Sequence, residues 1–363
     1  MALSQDILAE LAEIAPGSPL AQARETREAA TRHAQGSYEI LFSQQDADFA
    51  LDERFAVAAK VAKWHNADAL AAHYAGFGLA DPTSSRLTPA LSFARLLTFS
   101  PVEATPGALR ALSQAGWSPE GIVTLAQLIA FVSFQSRLLT GLRLLNDKPV
   151  AAGEAPVVAG RWYTTPEAQS GRAAPVAFTR QELGWEPWLD ARPLSAFSAD
   201  EQAILAKFGH TDSDYFRLLG RNLPVLEQRT LTDKGIFYTA GGLPRAEREL
   251  AATVTSKING CIYCASVHAR KASQLSKEDA AVETLLAVEP GQPLAGGQSP
   301  RWQALIGFAG ALSVTPAALT PGHLAALEKE GLDTLQQLDL VQSAAFFAWA
   351  NRLMLTLGEP YLP

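Results

Sequence analysis

The sequence predicts an all-α protein built from two copies of one helical domain in tandem, joined by a crossover rich in proline and glycine. Three observations carry that expectation. A stretch beginning at Leu97 recurs at Leu312, helix-start and helix-stop signals bracket most of the chain, and no segment alternates apolar and polar residues as a strand ladder would. The chain has 363 residues, 48% of them apolar and 18% charged. That is enough apolar surface for a sizeable core, so disorder is excluded as the main state, and at about 150 residues per domain two domains are expected.

The N-terminal stretch Met1 to Gly17 holds Asp6, Glu10 and Glu13 and no basic residue, which reads as an amphipathic helix and not as a secretory signal. The expected compartment is therefore the cytoplasm. The first copy spans 1–147. Its clearest signals are Thr105-Pro106, an N-cap residue before proline at the first helical position, and Gly116 as the stop that follows. The most apolar window, Thr124 to Leu145, is interrupted by Gln127, Gln135, Arg137 and Arg143, so it is expected as a buried helix and not a membrane span.

Residues 148–193 contain Pro149, Pro156, Pro166, Pro175, Pro187 and Pro193 with several glycines, a composition that breaks helices. Trp162, Trp185 and Trp188 in the same stretch favour an ordered, packed crossover. The second copy spans 194–363. Ser198 and Glu201 form a capping box ahead of Ala203-Ile204-Leu205, and Thr320-Pro321 with Gly331 repeats the Thr105-Pro106 and Gly116 signals.

The repeat itself sets Leu97 to Leu112 on Leu312 to Leu327, and then Gly116 on Gly331, Gln127 on Gln342, Phe131 on Phe346 and Arg137 on Arg352. Upstream, Glu53-Arg54, Ala58, Val61 and Lys63 match Glu247-Arg248, Ala252, Thr255 and Lys257 in a shifted register. The shift requires an insertion in the second copy, expected around Val288 to Ser299, where Pro290, Gly291, Pro293, Gly296 and Gly297 cluster. Arg137 and Arg352 recur inside apolar helices of both copies and are expected to be buried, hydrogen-bonded and structural.

The balance of 30 basic and 37 acidic side chains gives a formal charge of -7, which repels a phosphate backbone, so no nucleic acid partner is expected. Two cysteines occur in the chain, both in Gly260-Cys261-Ile262-Tyr263-Cys264-Ala265-Ser266-Val267-His268. In a reducing compartment such a pair points to catalysis or metal binding. Asn259-Gly260 should end one helix and let another begin near Cys261, which puts Cys261, Cys264 and His268 on one face at i, i+3 and i+7. A thiol in a helix's first turn gains from free backbone N–H groups and the dipole, which favour thiolate, and an imidazole one turn on can exchange its proton. Zinc is the competing reading. Two thiolates and one imidazole fill only three positions of a site, with no fourth ligand in view, so neither a metal nor another cofactor is expected.

Lys257-Ile258-Asn259-Gly260-Cys261-x-x-Cys264-x-x-x-His268, with Glu249 upstream beside Arg248, resembles the core signature of the AhpD-like alkylhydroperoxidases within the carboxymuconolactone decarboxylase superfamily. The resemblance covers Leu219 to Gly358 well and the first copy in outline. It implies that Cys264 is the peroxidatic thiol, Cys261 the resolving thiol, and Glu249 with His268 a proton relay. Family members often carry histidine just before the second cysteine, where this chain has Tyr263. The implied activity is a thiol-dependent peroxidase or disulfide reductase acting on small hydroperoxides. Its partner would be a thiol reductant: a lipoyl protein, a thioredoxin-like protein or a low-molecular-weight thiol. A homo-oligomer, dimer or trimer, is expected. Two other readings stand beside it: a carboxymuconolactone decarboxylase-like enzyme, and a non-catalytic assembly protein whose dithiol senses redox state.

The first copy has Phe55, Ala67, Leu70 and Tyr74 at the positions of Glu249, Cys261, Cys264 and His268, so it is expected to be chemically silent, and the family resemblance implies that it pairs with the second copy. His65 and His73 are expected on a helix surface or an interface. His33, His210 and His323 have no companions that suggest a site.

Overall fold

A computed structural model describes residues 5–43, 48–162 and 165–363. In the first copy α1 (Ile7–Leu11) and α2 (Pro19–Thr26) lead into α3 (Glu28–Ser43), α4 (Leu51–Trp64), α5 (Asp68–Ala75), α6 (Leu87–Phe99), α7 (Pro106–Gln114) and α8 (Pro119–Leu145). In the second, α9 (Ala199–Lys207) and α10 (Asp214–Leu219) lead into α11 (Leu223–Phe237), α12 (Arg245–Asn259), α13 (Ile262–Ser276), α14 (Asp279–Leu286), α15 (Pro300–Ser313), α16 (Pro321–Lys329) and α17 (Thr334–Thr356). The fold is all-α.

The helices start and stop where local chemistry dictates. Ser198 and Glu201 close the capping box at α9, and Gly116 and Gly331 take the left-handed conformation just past α7 and α16. The N-terminal helix is shorter than its amphipathic pattern suggests: α1 has five residues and its chain turns off at Ala12.

Equivalent helices of the two copies face each other. The long helices α8 and α17 pack along one another at the centre, where Phe131, Phe134, Phe346 and Trp349 form an aromatic cluster and Trp349 Nε1 donates to Gln127 Oε1 at 2.8 Å. Helix α8 is long and apolar enough to cross a membrane, but that apolar window is buried inside the protein. On one side α3 packs on α11, so closely that a Cβ on Gly235 would stand 2.5 Å from the Ala30 nitrogen.

The copies also repeat their internal bonds. Arg54 donates to the Phe49 and Leu41 carbonyls, and Arg248 to those of Leu243 and Ile236. Between the copies, Arg27 and Asp339 form a buried bidentate pair at 2.6 and 2.9 Å.

The extra length of the second copy begins upstream of its glycine and proline cluster. Helix α13 has 15 residues where α5 has 8, and α14 has no counterpart among the described residues of the first copy. The crossover is ordered against the second copy: Gly153 N–H donates to the Ala317 carbonyl, Gly160 N–H to Lys257 and Trp188 N–H to Leu357. It also contributes β1 (Gly184–Pro187), which pairs antiparallel with β2 (Gly358–Tyr361). Four-residue strands bounded by proline and glycine carry too little alternation to read from sequence.

Candidate active site

The site is built on the turn between α12 and α13. Helix α12 ends at Asn259 because Gly260 adopts φ 77°, a left-handed conformation that glycine takes without steric cost. A Cβ there would lie 2.0 Å from the Arg161 carbonyl oxygen, so the crossover chain also requires a glycine at this point. Cys261 is the N-cap of α13, Cys264 lies in its first turn and His268 one turn further on. Both thiols are free and buried.

The two cysteines differ in access. Cys264, His268 and Glu249 line one cavity of about 330 Å³, whereas Cys261 lies behind it against Trp185, Tyr263 and Met354. Burial pushes the Cys261 thiol well above its ordinary value, and its hydrogen bond with the Cys264 side chain pushes the same way. The Cys264 backbone amide and the Asn351 side chain pull against this without prevailing. Asn351 is held in turn by Asn259 and Ser256.

His268 Nδ1 lies 2.5 Å from Glu249 Oε2, and Arg245 Nε donates to Glu249 Oε1 at 3.1 Å. Burial works to raise the Glu249 carboxyl, but the hydrogen bond and charge of His268, then Lys271 and Arg245, outweigh it and hold the carboxyl below its ordinary value. An ionised carboxylate only accepts, so Nδ1 of His268 carries the hydrogen and Nε2 is left for proton exchange. The ring is steadied by Phe347, with centroids 4.3 Å apart at 69°.

Several cavity residues escaped the sequence reading. Arg229, Asp233 and Phe237 sit at i, i+4 and i+8 on α11 and line the cavity together, and Lys271 follows His268 on α13. That spacing on α11 was a signal available in the sequence. Burial raises the Asp233 carboxyl, against the opposing charges of Arg229, His268 and Lys271. Lys257, which belongs to the signature, works elsewhere. Its ammonium is buried and donates to the Leu286 and Val288 carbonyls at the end of α14, at 2.8 and 2.6 Å. Burial lowers it to about 8.

Residues 224–309, which contain every one of these cavity groups on α11, α12 and α13, match the carboxymuconolactone decarboxylase family. The matched segment runs from α11 into α15. Among solved structures, the AhpD core of an uncharacterized peroxidase-related protein from Ralstonia eutropha JMP134 is similar, with 22% identity over 50% of this chain and 89% of that one and a TM-score of 0.37. No curated protein matches the chain.

Outside the carboxymuconolactone decarboxylase match, the first copy fills the equivalent space with rings. Phe55 stacks on Phe77 at 4.5 Å, Phe42 lies 4.6 Å from Tyr74, and the Tyr74 hydroxyl donates to Gln135 Oε1. Ala67 caps α5 as Cys261 caps α13, and Asn66 takes the positive φ that Gly260 takes in the second copy.

His65, expected on a surface or an interface, is not a surface group. His65 is fully buried between Ser133 Oγ at 3.0 Å and Arg137 Nη1 at 3.2 Å. Burial, then the charges of Arg137 and Arg352, hold it well below its ordinary value, so Nδ1 accepts from the guanidinium and Nε2 donates to Ser133. His73 is partly buried and bonds the Tyr38 hydroxyl at 2.7 Å. His33 reaches Gln228 of the second copy, and His323 closes a turn with Thr320.

Proposed function

We propose that the protein is a thiol-dependent peroxidase that reduces small organic hydroperoxides through Cys264 and Cys261, with His268 and Glu249 as the proton relay. One observation carries the reading: Cys264 and the His268–Glu249 pair open onto the same cavity, while Cys261 sits directly behind on the same helix turn.

The chemistry balances with these groups. His268 Nε2 takes the Cys264 proton, and the resulting imidazolium is stabilised by the Glu249 carboxylate. The thiolate attacks the terminal peroxide oxygen, the O–O bond breaks, Cys264 becomes a sulfenic acid, and the alkoxide takes the proton back from Nε2 to leave as alcohol. The Cys261 sulfur then attacks Cys264 Sγ, forming the disulfide. The S–O bond breaks, and the departing hydroxide leaves as water with the Cys261 proton. An external dithiol supplies two electrons and two protons to reopen the disulfide. A lipoyl protein, a thioredoxin-like protein or a low-molecular-weight thiol satisfies that requirement, and cytoplasmic redox poise would keep the pair reduced between turnovers. A homo-oligomeric assembly is part of the same proposal.

The test is consumption of cumene hydroperoxide with a dithiol reductant. Cys264→Ser abolishes it, and equal rates in variant and parent would sink the reading. A lactone decarboxylase activity is the second reading, favoured by the family match. That reaction needs no cysteine pair, so it predicts a Cys261→Ser, Cys264→Ser double variant with undiminished activity. A redox-sensing assembly protein would instead change oligomeric state on oxidation without turnover.

A further inference from the structure

The cavity contains a cation that the proton relay does not use. Arg229 projects from α11 into the cavity wall and is 6% exposed. Its guanidinium is boxed by aromatic rings, 5.2 Å from the Phe346 centroid, 5.8 Å from Trp349 and 5.9 Å from Tyr215. Among the described residues one hydrogen bond reaches it, Nη2 to the Tyr215 hydroxyl, and that is long at 3.4 Å. Nε has no partner among them.

A buried guanidinium normally forms several charge-assisted hydrogen bonds, because desolvating it without them is costly. Cation–π contacts offset only part of that cost. The carboxylates nearby do not complete it. Glu249 is already engaged by His268 and Arg245, and Asp233 forms no ion pair with Arg229 and has its carboxyl raised by burial. Arg229 is thus a fork of unused donors on the wall of a cavity that also carries the charged groups Asp233, Glu249 and Lys271 and an apolar stretch of Phe216, Phe237, Phe346, Phe347 and Met354.

The geometry points to a carboxylate subsite, and we propose that the cavity takes small hydroperoxides carrying a carboxylate on an aryl or short alkyl body. Arg229 receives the carboxylate, the apolar walls take the body, and the peroxide end reaches Cys264. The planar fork suits a carboxylate better than a point cation would. A cavity of about 330 Å³ is at the small end of ligand sites, which favours a single ring or short chain. The substrate assignment rests on the peroxidase reading; the anion subsite itself does not.

The experiment therefore has a binding arm and a turnover arm on the full-length reduced protein. In the first, 4-phenylbutyrate and its neutral isostere 4-phenylbutyramide are compared by calorimetry and by protection of Cys264 from iodoacetamide. The acid is expected to bind at least tenfold more tightly and to slow alkylation. Arg229→Met removes the preference, Arg229→Lys keeps part of it, and Lys271→Met leaves it in place. A purely structural Arg229 would shift the melting temperature of its variants without touching the acid-to-amide ratio.

In the second arm, kcat/KM for the para-carboxylate of cumene hydroperoxide is expected to exceed that for cumene hydroperoxide tenfold, with the ratio collapsing in Arg229→Met. Equal binding of acid and amide by the parent protein overturns the proposal, and needs no variant to fold. Persistence of the preference in Arg229→Met, or its loss in Lys271→Met, overturns it as well. Absence of turnover with either peroxide refutes the peroxidase reading alone and leaves the binding result to decide the subsite.

Discussion

Arg137 donates to the carbonyl of Ser313 at 3.1 Å, and its repeat equivalent Arg352 donates to the carbonyl of Thr98 at 2.9 Å. Thr98 and Ser313 are themselves equivalent, each near the end of the helix preceding a proline-containing turn, so each copy's long helix caps the other copy's α6 or α15. Both guanidinia also reach Thr315 Oγ1. Helix C-termini present carbonyls without intrahelical partners, and a cation there gains from the dipole. Burial lowers Arg352 to about 9, so these bonds act against its desolvation.

Arg137→Ala and Arg352→Ala should each cost about 3 kcal/mol or more, since each leaves a cavity and orphaned carbonyls on the opposite copy. Urea unfolding checks this, and a loss below about 1 kcal/mol would show that the reciprocal bonds do not tie the copies. Because the two share Thr315, the double variant should deviate from additivity.

Cys261→Ser should stop cycling without stopping the first chemical step. One equivalent of peroxide would be consumed and a sulfenic acid would accumulate at Cys264, trapped by dimedone and read by mass spectrometry. Dimedone labelling of Cys264→Ser at Cys261 would reverse the assignment of the two sulfurs.

Glu249→Gln should lower kcat/KM for peroxide by about a hundredfold, because an amide neither stabilises the His268 imidazolium nor enforces its tautomer. Glu249 has its folded carboxyl depressed, so its stabilising contribution is complete above the unfolded value of 4.5 and is lost as pH falls through the folded one. Melting temperatures of parent and variant should converge in acid. A gap that widens in acid would contradict the pairing.

Gly260→Ala places a Cβ against the Arg161 carbonyl at a positive φ and should cost about 2 kcal/mol or more, read as a lower midpoint in urea. It also moves the residue before Cys261, so on the proposed peroxidase reading disulfide formation after one peroxide equivalent should slow. Unchanged stability would mean the crossover does not press on this turn.

His210 stacks on Phe216 with centroids 3.4 Å apart and lies 3.2 Å from Thr230 Oγ1. Burial, then the charges of Arg229 and Lys234, lowers it from 6.5 to about 4. The unfolded chain binds its proton first, so stability is full above about 6.5 and falls as pH drops toward 4. His210→Gln should flatten that part of the stability curve, and an identical slope in the variant would exclude His210 as its source.

The sequence by itself determined the helical class and the thiol motif, because each is written in short-range chemistry. Proline and glycine at fixed offsets start and stop helices, and residues at i+3 and i+4 share a face whatever surrounds them. Cys264 and His268 are aligned by one helix and were legible for that reason, whereas Cys261, expected on the same face, is the non-helical N-cap and turns away from the cavity. Glu249 became legible through a signature and not through periodicity, since it meets His268 across the α12–α13 turn. Tertiary structure alone decided that Cys264 faces the cavity and Cys261 lies behind it. It also decided that His65 is buried under Arg137 and that Arg229 and Asp233 on α11 join the site. Those outcomes depend on which faces of helices far apart in the chain pack together, and the free energy of that packing belongs to the pair of surfaces and not to either local pattern.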